Sequence, residues 1–287
     1  MRRTLPRLVT LSALLKWGVE RLGGMKRLEV EVLLSECLGC NRSLLALELE
    51  KEVTADHLEQ FVGWIDRRAQ GEPMAYIRGK KEFWSLDFYV DRRVLIPRPE
   101  TELLVEQALS SMIKSEAVNV ADIGTGSGVL GIALAKERKG WNFVAVDSSK
   151  EALEVAAQNA QSHGVADRIE FREGDLCAPL QNRRGNFDLV VANLPYIPRS
   201  DLEGLSVDVK NYEPLQALDG GADGLELIFR LVQEARSCLQ SRGWLLLEIG
   251  LGQVSVVIGR MKQLGFREVH SREDLQGIPR IVWGQIV

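Results

Sequence analysis

The stretch Val118-Asn119-Val120-Ala121-Asp122-Ile123-Gly124-Thr125-Gly126-Ser127-Gly128 joins a short apolar run to a turn with glycine at every second position. The β-branched residues of the run predict a buried strand over residues 118–123. Glycines at alternate positions let the backbone turn tightly, and they let a ligand lie against it with no Cβ in the way. The stretch therefore predicts a sheet strand that opens directly into a ligand-binding turn.

Strand-like runs and helical periods alternate around this stretch and onward to residue 287. The predicted strands cover residues 118–123, 142–147, 168–173, 187–193, 243–250, 266–271 and 279–286, and the predicted helices lie near 100–114, 128–139, 149–163, 223–240 and 252–264. Such alternation is typical of an α/β domain with a doubly wound, mostly parallel sheet, here with seven strands. Because no helix is predicted between the last two strands, we expect them to form an antiparallel pair at one edge.

Helical spacing of apolar residues dominates the first quarter of the chain. It predicts helices over residues 10–22 and 26–38, a short helix at 43–49, and a longer helix that Thr54 caps and that ends before Gly71. Residues 1–75 are therefore predicted to form a small all-α bundle that serves recognition or scaffolding. Aromatic, strand-like residues predict a β-hairpin linker over 76–96, and residues 97–287 are predicted to form the α/β domain.

The composition is that of an ordinary globular protein. The 287 residues are 45% hydrophobic and 26% charged, which excludes a disordered or fibrous chain. A net charge of -4 argues against a surface that coats nucleic acid broadly. Because no apolar run is long enough to cross a bilayer and the amino terminus does not match a signal peptide, we expect a cytoplasmic protein. Of the four cysteines only Cys37 and Cys40 are close in sequence, and no metal site is predicted.

Acidic residues follow the next two predicted strands and, with the glycine turn, describe an adenosine pocket. Asp147 ends the strand at 142–147, where a carboxylate can accept hydrogen bonds from both ribose hydroxyls. Asp175 follows the strand at 168–173, within reach of an adenine amino group, and Leu176 can pack on the ring. The cofactor-binding residues predicted here are Gly124, Thr125, Gly126, Ser127, Gly128, Asp147, Asp175 and Leu176.

The same turn contains the dinucleotide pattern Gly-x-Gly-x-x-Gly through Gly126, Gly128 and Gly131, so a nicotinamide-dependent oxidoreductase is a literal alternative. In that class the pattern begins at the end of the strand, whereas here Gly124 occupies this position and Asp122 precedes it inside the strand. The pattern alone does not decide between the two cofactors.

The apolar run over 187–193 ends abruptly at Asn193-Leu194-Pro195-Tyr196, because Pro195 and Pro198 cannot continue a strand. Asn193 is thereby placed at the carboxyl end of the predicted strand. Open α/β sheets bind ligands at the edge where the carboxyl ends of their strands lie. An asparagine before proline also commonly caps a turn. With the cofactor over the first strand, we expect Asn193 to bind near its reactive end and to hold a substrate amino or amide group.

The Asp-Ile-Gly-Thr-Gly-Ser-Gly turn and the Asn-Leu-Pro-Tyr strand end together resemble the S-adenosylmethionine-dependent methyltransferases that modify planar nitrogens. Further segments narrow this resemblance to the release factor glutamine N5-methyltransferases, the HemK/PrmC family. They are residues 71–79 (GEPMAYIRG), 94–102 (VLIPRPETE), 218–225 (LDGGADGL) and 247–253 (LEIGLGQ), together with Asp274-Leu275-x-Gly277-x-x-Arg280. The resemblance spans essentially the whole chain, including the amino-terminal bundle.

The resemblance implies a Rossmann-like S-adenosylmethionine methyltransferase domain at 97–287 and a substrate-recognition role for residues 1–75. It implies methyl transfer to the side-chain amide of the glutamine in the Gly-Gly-Gln loop of bacterial class 1 peptide release factors, with S-adenosylmethionine as cofactor. We also expect a monomer that binds neither nucleic acid stably nor a membrane.

One position departs from the family's usual Asn-Pro-Pro-Tyr, because Leu194 replaces the first proline. The tetrapeptide as it stands also resembles that of ribosomal RNA adenine dimethyltransferases, so an adenine N6-methyltransferase acting on RNA or DNA is the second-ranked function. That alternative leaves the amino-terminal bundle and the 94–102 segment unexplained. A non-catalytic ribosome-associated binding protein is a further alternative from another class.

The predicted catalytic residues are Asn193, Leu194, Pro195 and Tyr196. An amide nitrogen is a weak nucleophile, so positioning has to carry the catalysis. We expect the Asn193 oxygen and the Leu194 carbonyl to accept hydrogen bonds from the substrate NH2, with Pro195 fixing the direction of that carbonyl. The Tyr196 side chain is expected to pack against the plane of the substrate amide. The segment at 96–102 is expected to contact the wall of the site without taking part in the chemistry.

Overall fold

A computed structural model describes residues 9–112 and 116–287. The chain divides into two compact units, Met1–Gly79 with Val207–Tyr212, and Lys80–Ser206 with Glu213–Val287. The first eight residues of the predicted bundle, and residues 113–114 of the helix predicted near 100–114, lie outside the described residues.

The first unit is helical. Its helices are α1 (Leu11–Arg21), α2 (Arg27–Cys37), α3 (Arg42–Leu45), α4 (Ala55–Ala69) and α5 (Met74–Arg78), joined by the later helix α9 (Val207–Tyr212). Helix α4 begins where the sequence predicts, because the Thr54 side chain accepts a hydrogen bond from the His57 N–H. The short helix predicted at 43–49 ends early, at Leu45. Leu47 and Leu49 are exposed, so no buried face stabilises further turns.

The hairpin predicted over 76–96 begins later than its apolar pattern suggests. Tyr76 and Ile77 lie in α5 and are buried, and Gly79 ends that helix at φ 67°. Their aromatic and β-branched character therefore reflects burial rather than a strand. The hairpin itself consists of β1 (Lys80–Phe83) and β2 (Leu86–Tyr89). Its two-residue turn places Trp84 and Ser85 at φ 53° and 57°, the geometry whose twist matches two antiparallel strands.

The second unit contains the seven-stranded sheet that the sequence predicts. Its strands are β3 (Asn119–Ile123), β4 (Asn142–Asp147), β5 (Ile169–Glu173), β6 (Phe187–Ala192), β7 (Leu239–Glu248), β8 (Phe266–Glu273) and β9 (Pro279–Ile286). They are ordered β5-β4-β3-β6-β7-β9-β8, and β9 alone runs in the opposite direction to the other six strands. The doubly wound, mostly parallel sheet with an antiparallel pair at one edge is therefore confirmed.

Helices cover both faces of the sheet. They are α6 (Glu102–Ser111), α7 (Val129–Glu137), α8 (Lys150–Ser162), α10 (Glu226–Cys238) and α11 (Val254–Gln263). Alternate residues of β3 point to opposite faces. Ala121 and Ile123 join the apolar cluster formed with α10 and α11, whereas Val120 joins the cluster formed with α6 and α7. The strands are thus buried on both faces, as their continuous apolar runs predict.

The order of the strands reverses at β3, since β4 and β5 lie on one side of it and β6 and β7 on the other. A crevice opens beyond the carboxyl ends of the strands at such a switch point. The register pairs Ile123 with Ala192, and Ala192 with Leu247. As a result the glycine turn after β3, Asn193 after β6 and Glu248 at the end of β7 lie side by side.

Candidate active site

A cleft occupies this carboxyl edge of the sheet. The predicted site residues that line it are Gly124, Thr125, Gly126, Ser127, Asp147, Asp175, Leu176, Asn193, Leu194 and Pro195. Gly128 and Tyr196 are not among the lining residues. A Cβ on Gly128 would lie 2.9 Å from Ile132 Cδ1, so this glycine packs beneath the turn, and Tyr196 directs its hydroxyl to a buried carboxylate.

The glycine turn is held rigidly against the neighbouring strand. The N–H groups of Gly124 and Thr125 both donate to Val146 O, at 2.8 and 3.0 Å. Gly124, Gly126 and Gly128 have φ values of 71°, 56° and 84°, a region that disfavours any residue with a side chain. A Cβ on Gly126 would meet no atom within 4 Å. The turn therefore presents open backbone at Gly126, against which a ligand can lie.

Asp122 braces this turn from below. Its Oδ2 accepts hydrogen bonds from Thr125 Oγ1 at 2.7 Å and from Gly131 N at 3.1 Å. Complete burial raises the pKa of the Asp122 carboxyl to about 6, against the lowering effect of these two hydrogen bonds. Its position ties the turn to the first helix after it.

Asp147 ends β4 and faces the cleft with acceptor capacity to spare. Its Oδ2 accepts from Gly126 N at 2.9 Å and its Oδ1 accepts from Ser149 N at 2.9 Å. Burial raises the pKa of Asp147, and these backbone donors lower it. Each carboxylate oxygen can accept a further hydrogen bond, which is what two vicinal hydroxyls of a ribose require.

Asp175 and Leu176 lie beside Asp147 in contrasting environments. The Asp175 side chain is 59% exposed, and its Oδ2 forms an ion pair with Arg230 Nη2 at 2.5 Å. Leu176 is buried and has φ 45°, a left-handed conformation that is strained for a residue with a branched side chain. That conformation turns an apolar side chain into the cleft wall, as contact with an adenine ring requires.

Asn193 stands at the head of a buried chain of hydrogen bonds. Its Nδ2 donates to Thr101 Oγ1 at 3.0 Å, and Thr101 Oγ1 donates to Glu248 Oε2 at 2.6 Å. The Tyr196 hydroxyl donates to the other oxygen of Glu248 at 3.2 Å. Asn193 is therefore more than the cap of a turn, because its amide belongs to a network that reaches two other elements.

The electrostatics of this network follow from its burial. Glu248 and Thr101 are each only 2% exposed. Burial raises the pKa of Glu248 to about 7, and the hydrogen bonds from Thr101 and Tyr196 oppose that rise. Burial, with the neighbouring charge of Glu248, likewise raises the pKa of Tyr196. The phenol therefore remains a hydrogen-bond donor at neutral pH.

The backbone around Tyr196 is clamped by residues from two other loops. Gln253 Nε2 donates to Tyr196 O at 3.0 Å and to Gly224 O at 3.1 Å, while Gln253 Oε1 accepts from Gly250 N at 2.8 Å. A Cβ on Gly224 would lie 2.2 Å from Tyr196 O. Only glycine permits this approach, so the 218–225 segment sets the position of the chain after Pro195.

The segment at 96–102, which contains Pro97 and Pro99, forms part of the cleft wall, as expected from the sequence. Pro97, Arg98 and Thr101 line the cleft. The buried carboxylate of Glu213 holds the segment, because it accepts from Ile96 N at 3.0 Å and from Arg98 Nη2 at 2.5 Å. A rigid wall at this place keeps Thr101 in register with Asn193.

No group of three or more histidine, cysteine, aspartate or glutamate residues in the described chain is arranged to hold a metal ion. Over the same residues, no helix has the length and apolar character that crossing a membrane requires.

Comparison with known proteins identifies relatives over nearly the full length. The profile of the PrmC N-terminal domain matches residues 13–79, and that of a methyltransferase domain matches residues 114–248. The release factor glutamine methyltransferase of Geobacter sulfurreducens is 42% identical over 98% of this chain and 98% of its own length. That of Coxiella burnetii is 40% identical over 89% of this chain and 90% of its own. This chain belongs to the release factor glutamine methyltransferase family.

This member of the release factor glutamine methyltransferase family shares its fold with a distant protein of known structure. The hMettl16 catalytic domain, solved in complex with MAT2A 3'UTR hairpin 6, matches with a TM-score of 0.58 and 15% identity, over 83% of this chain and 85% of that one. Together with the methyltransferase profile, family membership confirms S-adenosylmethionine as the cofactor. The dinucleotide pattern in the glycine turn therefore does not indicate a nicotinamide enzyme.

Leu194, the departure from the proline usual in the release factor glutamine methyltransferases, is accommodated by packing. It is buried, and its Cδ2 lies 2.9 Å from the point that a Cβ on Gly124 would occupy. The leucine side chain therefore fills the space beneath the glycine turn.

Four residues of the site were not singled out by sequence patterning: Thr101, Glu213, Glu248 and Gln253. Three of them lie in segments that carry the family resemblance, which is the signal that could have found them. Glu213 lies in none of those segments, and its role follows from the structure alone.

Proposed function

We propose that this chain transfers the methyl group of S-adenosylmethionine to the side-chain amide nitrogen of the glutamine in the Gly-Gly-Gln loop of bacterial class 1 peptide release factors. The observation that carries the proposal is the Asn193 amide at the cleft, whose nitrogen donates to Thr101 and whose oxygen, among the described residues, accepts no hydrogen bond and can serve an NH2 donor. The nearly full-length relatives named release factor glutamine methyltransferase support a release factor as the substrate.

The residues of the cleft fit S-adenosylmethionine. The open backbone at Gly126 and the side chains of Thr125 and Ser127 would lie along the ligand, and the Asp147 carboxylate would hold the ribose hydroxyls. Leu176 would pack on the adenine, and Asp175 would hold its amino group in exchange for part of its pairing with Arg230. When bound, S-adenosylmethionine supplies an electrophilic methyl group.

The chain's own contribution to the chemistry is to hold and orient the amide. The Asn193 oxygen and the Leu194 carbonyl would each accept a hydrogen bond from the substrate NH2. Both acceptors draw electron density onto nitrogen and aim its lone pair at the methyl group. Pro195 and Tyr196 follow these two acceptors in the chain. We propose that Pro195 and Tyr196 fix the direction in which the acceptors point. The amide proton leaves to water after transfer, when the nitrogen is acidic.

We further propose that the first unit recognises the release factor and that the enzyme acts as a cytoplasmic monomer without stable nucleic-acid binding. The net charge of -4 supports the last point.

The deciding experiment measures transfer of a tritiated methyl group to purified bacterial class 1 release factor. The matched control is the same release factor with glutamate in place of the Gly-Gly-Gln glutamine, which removes the amide nitrogen and keeps the loop. We expect incorporation into the first and none into the second. Labelling of the glutamate variant, or of ribosomal RNA in preference to the release factor, would refute the proposal.

Replacing Asp147 with alanine is expected to raise the dissociation constant of S-adenosylmethionine about 10- to 100-fold, the loss expected for hydrogen bonds to a charged acceptor. Isothermal titration measures the constant directly. The matched control is Asp188→Ala, because Asp188 also accepts a backbone hydrogen bond, from Asn119 N at 2.8 Å, but at the opposite edge of the sheet. Unchanged affinity in Asp147→Ala would withdraw the ribose assignment.

A further inference from the structure

The hydrogen bonds that link Asn193, Thr101 and Glu248 run in one donor-to-acceptor direction, from Asn193 to Glu248. Glu248 is a buried carboxylate that accepts from two hydroxyls, Thr101 on one oxygen and Tyr196 on the other. A hydroxyl carries one proton, so Thr101 can donate to Glu248 only while accepting from its other neighbour. That neighbour is the Asn193 amide, 3.0 Å away, which must therefore turn its nitrogen toward Thr101.

We propose that Thr101 and Glu248 are positioning residues for methyl transfer, which act through Asn193 by selecting the atom of its amide that meets the substrate. With the Asn193 nitrogen held by Thr101, its oxygen points away from Thr101 and is available to the substrate NH2. The two positioning residues come from the position that directly precedes α6 and from the end of β7, so the selection is enforced by two separate parts of the fold. The inference rests on the proposed function, because Asn193 is assigned there to the substrate amide.

Protonation of Glu248 reverses the chain. A protonated carboxyl donates to Thr101 Oγ1, which frees the Thr101 proton to point at Asn193. The Asn193 amide then turns its oxygen to Thr101 and its NH2 to the substrate, where two donors face each other and no hydrogen bond forms. The charged and titratable groups around Glu248 are Glu100, Tyr196 and Arg280. Since the pKa of Glu248 is raised to about 7, methyl transfer should decline as the pH falls through this value.

The first test removes the Thr101 hydroxyl without changing the shape of the side chain. Thr101→Val should lower kcat about tenfold, the effect of one lost hydrogen bond in a buried network. Thr101→Ser should restore kcat, because serine keeps the hydroxyl. The matched control is Ser111→Ala, which removes a hydroxyl that accepts from Gln107 at the other end of the same helix. Thermal unfolding and the dissociation constant of S-adenosylmethionine, measured for each variant, verify that the fold and cofactor site are intact.

The second test is the pH profile of kcat, measured with release factor from about pH 5.5 to about pH 8.5. Wild-type enzyme should show a decline below about pH 7, and Glu248→Gln should lack it because the group no longer titrates. Thr101→Val should also lack the decline, even though Glu248 is still present and still titrates. A residue that only stabilises the fold would not remove a pH dependence in this way.

The outcomes separate the two proposals. If Asn193→Ala abolishes transfer while Thr101→Val equals wild type in kcat, or keeps the wild-type pH profile, the positioning inference is wrong and the proposed function stands. If Asn193→Ala itself retains wild-type transfer, the role of Asn193 fails and the inference fails with it. Loss of kcat in Thr101→Val with rescue by serine, and loss of the pH decline in both Thr101→Val and Glu248→Gln, supports the inference.

Discussion

Replacing Asn193 with alanine is expected to lower kcat for methylation of the release factor about 10²- to 10³-fold, the loss seen when one preorganised polar contact to the reacting group is removed. The reason is that an amide nitrogen has its lone pair delocalised, and none of the described residues that line the cleft is a lysine or a histidine that could act as a strong base. Its reactivity depends on acceptors that hold both of its protons, and in the proposed mechanism Asn193 supplies one of the two. Single-turnover measurements at saturating S-adenosylmethionine report the step directly.

Cofactor affinity should change far less than kcat in this variant, because the glycine turn and Asp147 are proposed to hold most of S-adenosylmethionine. The matched control is Asn142→Ala, which removes an exposed asparagine at the opposite edge of the same sheet. That variant should retain wild-type kcat. Undiminished turnover in Asn193→Ala would show that the Leu194 carbonyl alone holds the amide, or that the amide lies elsewhere.

The parts of the site that can be predicted from the sequence are those that depend on residues close together in the chain. The strand before Gly124 and the strand before Asn193 are continuous apolar runs with abrupt ends; the first ends at Ile123 as predicted, and the second ends at Ala192, one residue before the predicted end. Because the carboxyl ends of parallel strands meet at one edge, two such ends are enough to place the glycine turn beside an asparagine. The fold class follows from the same alternation.

The parts that escape prediction are those that only the strand register assembles. Thr101 lies 92 positions before Asn193 in the chain, and 147 positions before Glu248. No periodicity links residues at such distances. Asn193 and Glu248 come together because β6 pairs with β7 so that Ala192 faces Leu247. Glu248, at the end of β7, can therefore be assigned to the site only once the order of the strands is known.

Sequence patterns also predict the wrong element where tertiary burial of a residue outweighs its local conformational propensity. Tyr76 and Ile77 resemble strand residues, yet they occupy a short helix because Pro73 precedes it with φ -59° and Gly79 ends it. Leu176 adopts a left-handed conformation that no propensity favours for leucine, and it does so in the wall of the cleft. Strain of this kind is common where a ligand has to be contacted.

Replacing Gly224 with alanine is expected to lower kcat about 100-fold, the scale of loss that a displacement of about 1 Å causes in a positioned reactive group. The new Cβ would lie 2.2 Å from the backbone oxygen of Tyr196 and 2.8 Å from the side-chain Nε2 of Gln253, so the backbone at Tyr196 or at residue 224 has to move. Movement of Tyr196 shifts Pro195 and the Leu194 carbonyl with it. Overpacking of this kind also lowers the free energy of unfolding by about 1–3 kcal/mol.

The matched control for this prediction is Gly252→Ala. Gly252 has φ 82°, close to the 75° of Gly224, but a Cβ there would meet no atom within 4 Å. Both variants therefore carry the same conformational cost, about 1 kcal/mol for alanine at positive φ, and only Gly224→Ala carries the collision with Tyr196. Denaturant unfolding and kcat, measured on both, isolate the collision. Equal kcat in the two variants would mean that the close approach of Gly224 to Tyr196 does not set the position of the amide-holding carbonyl.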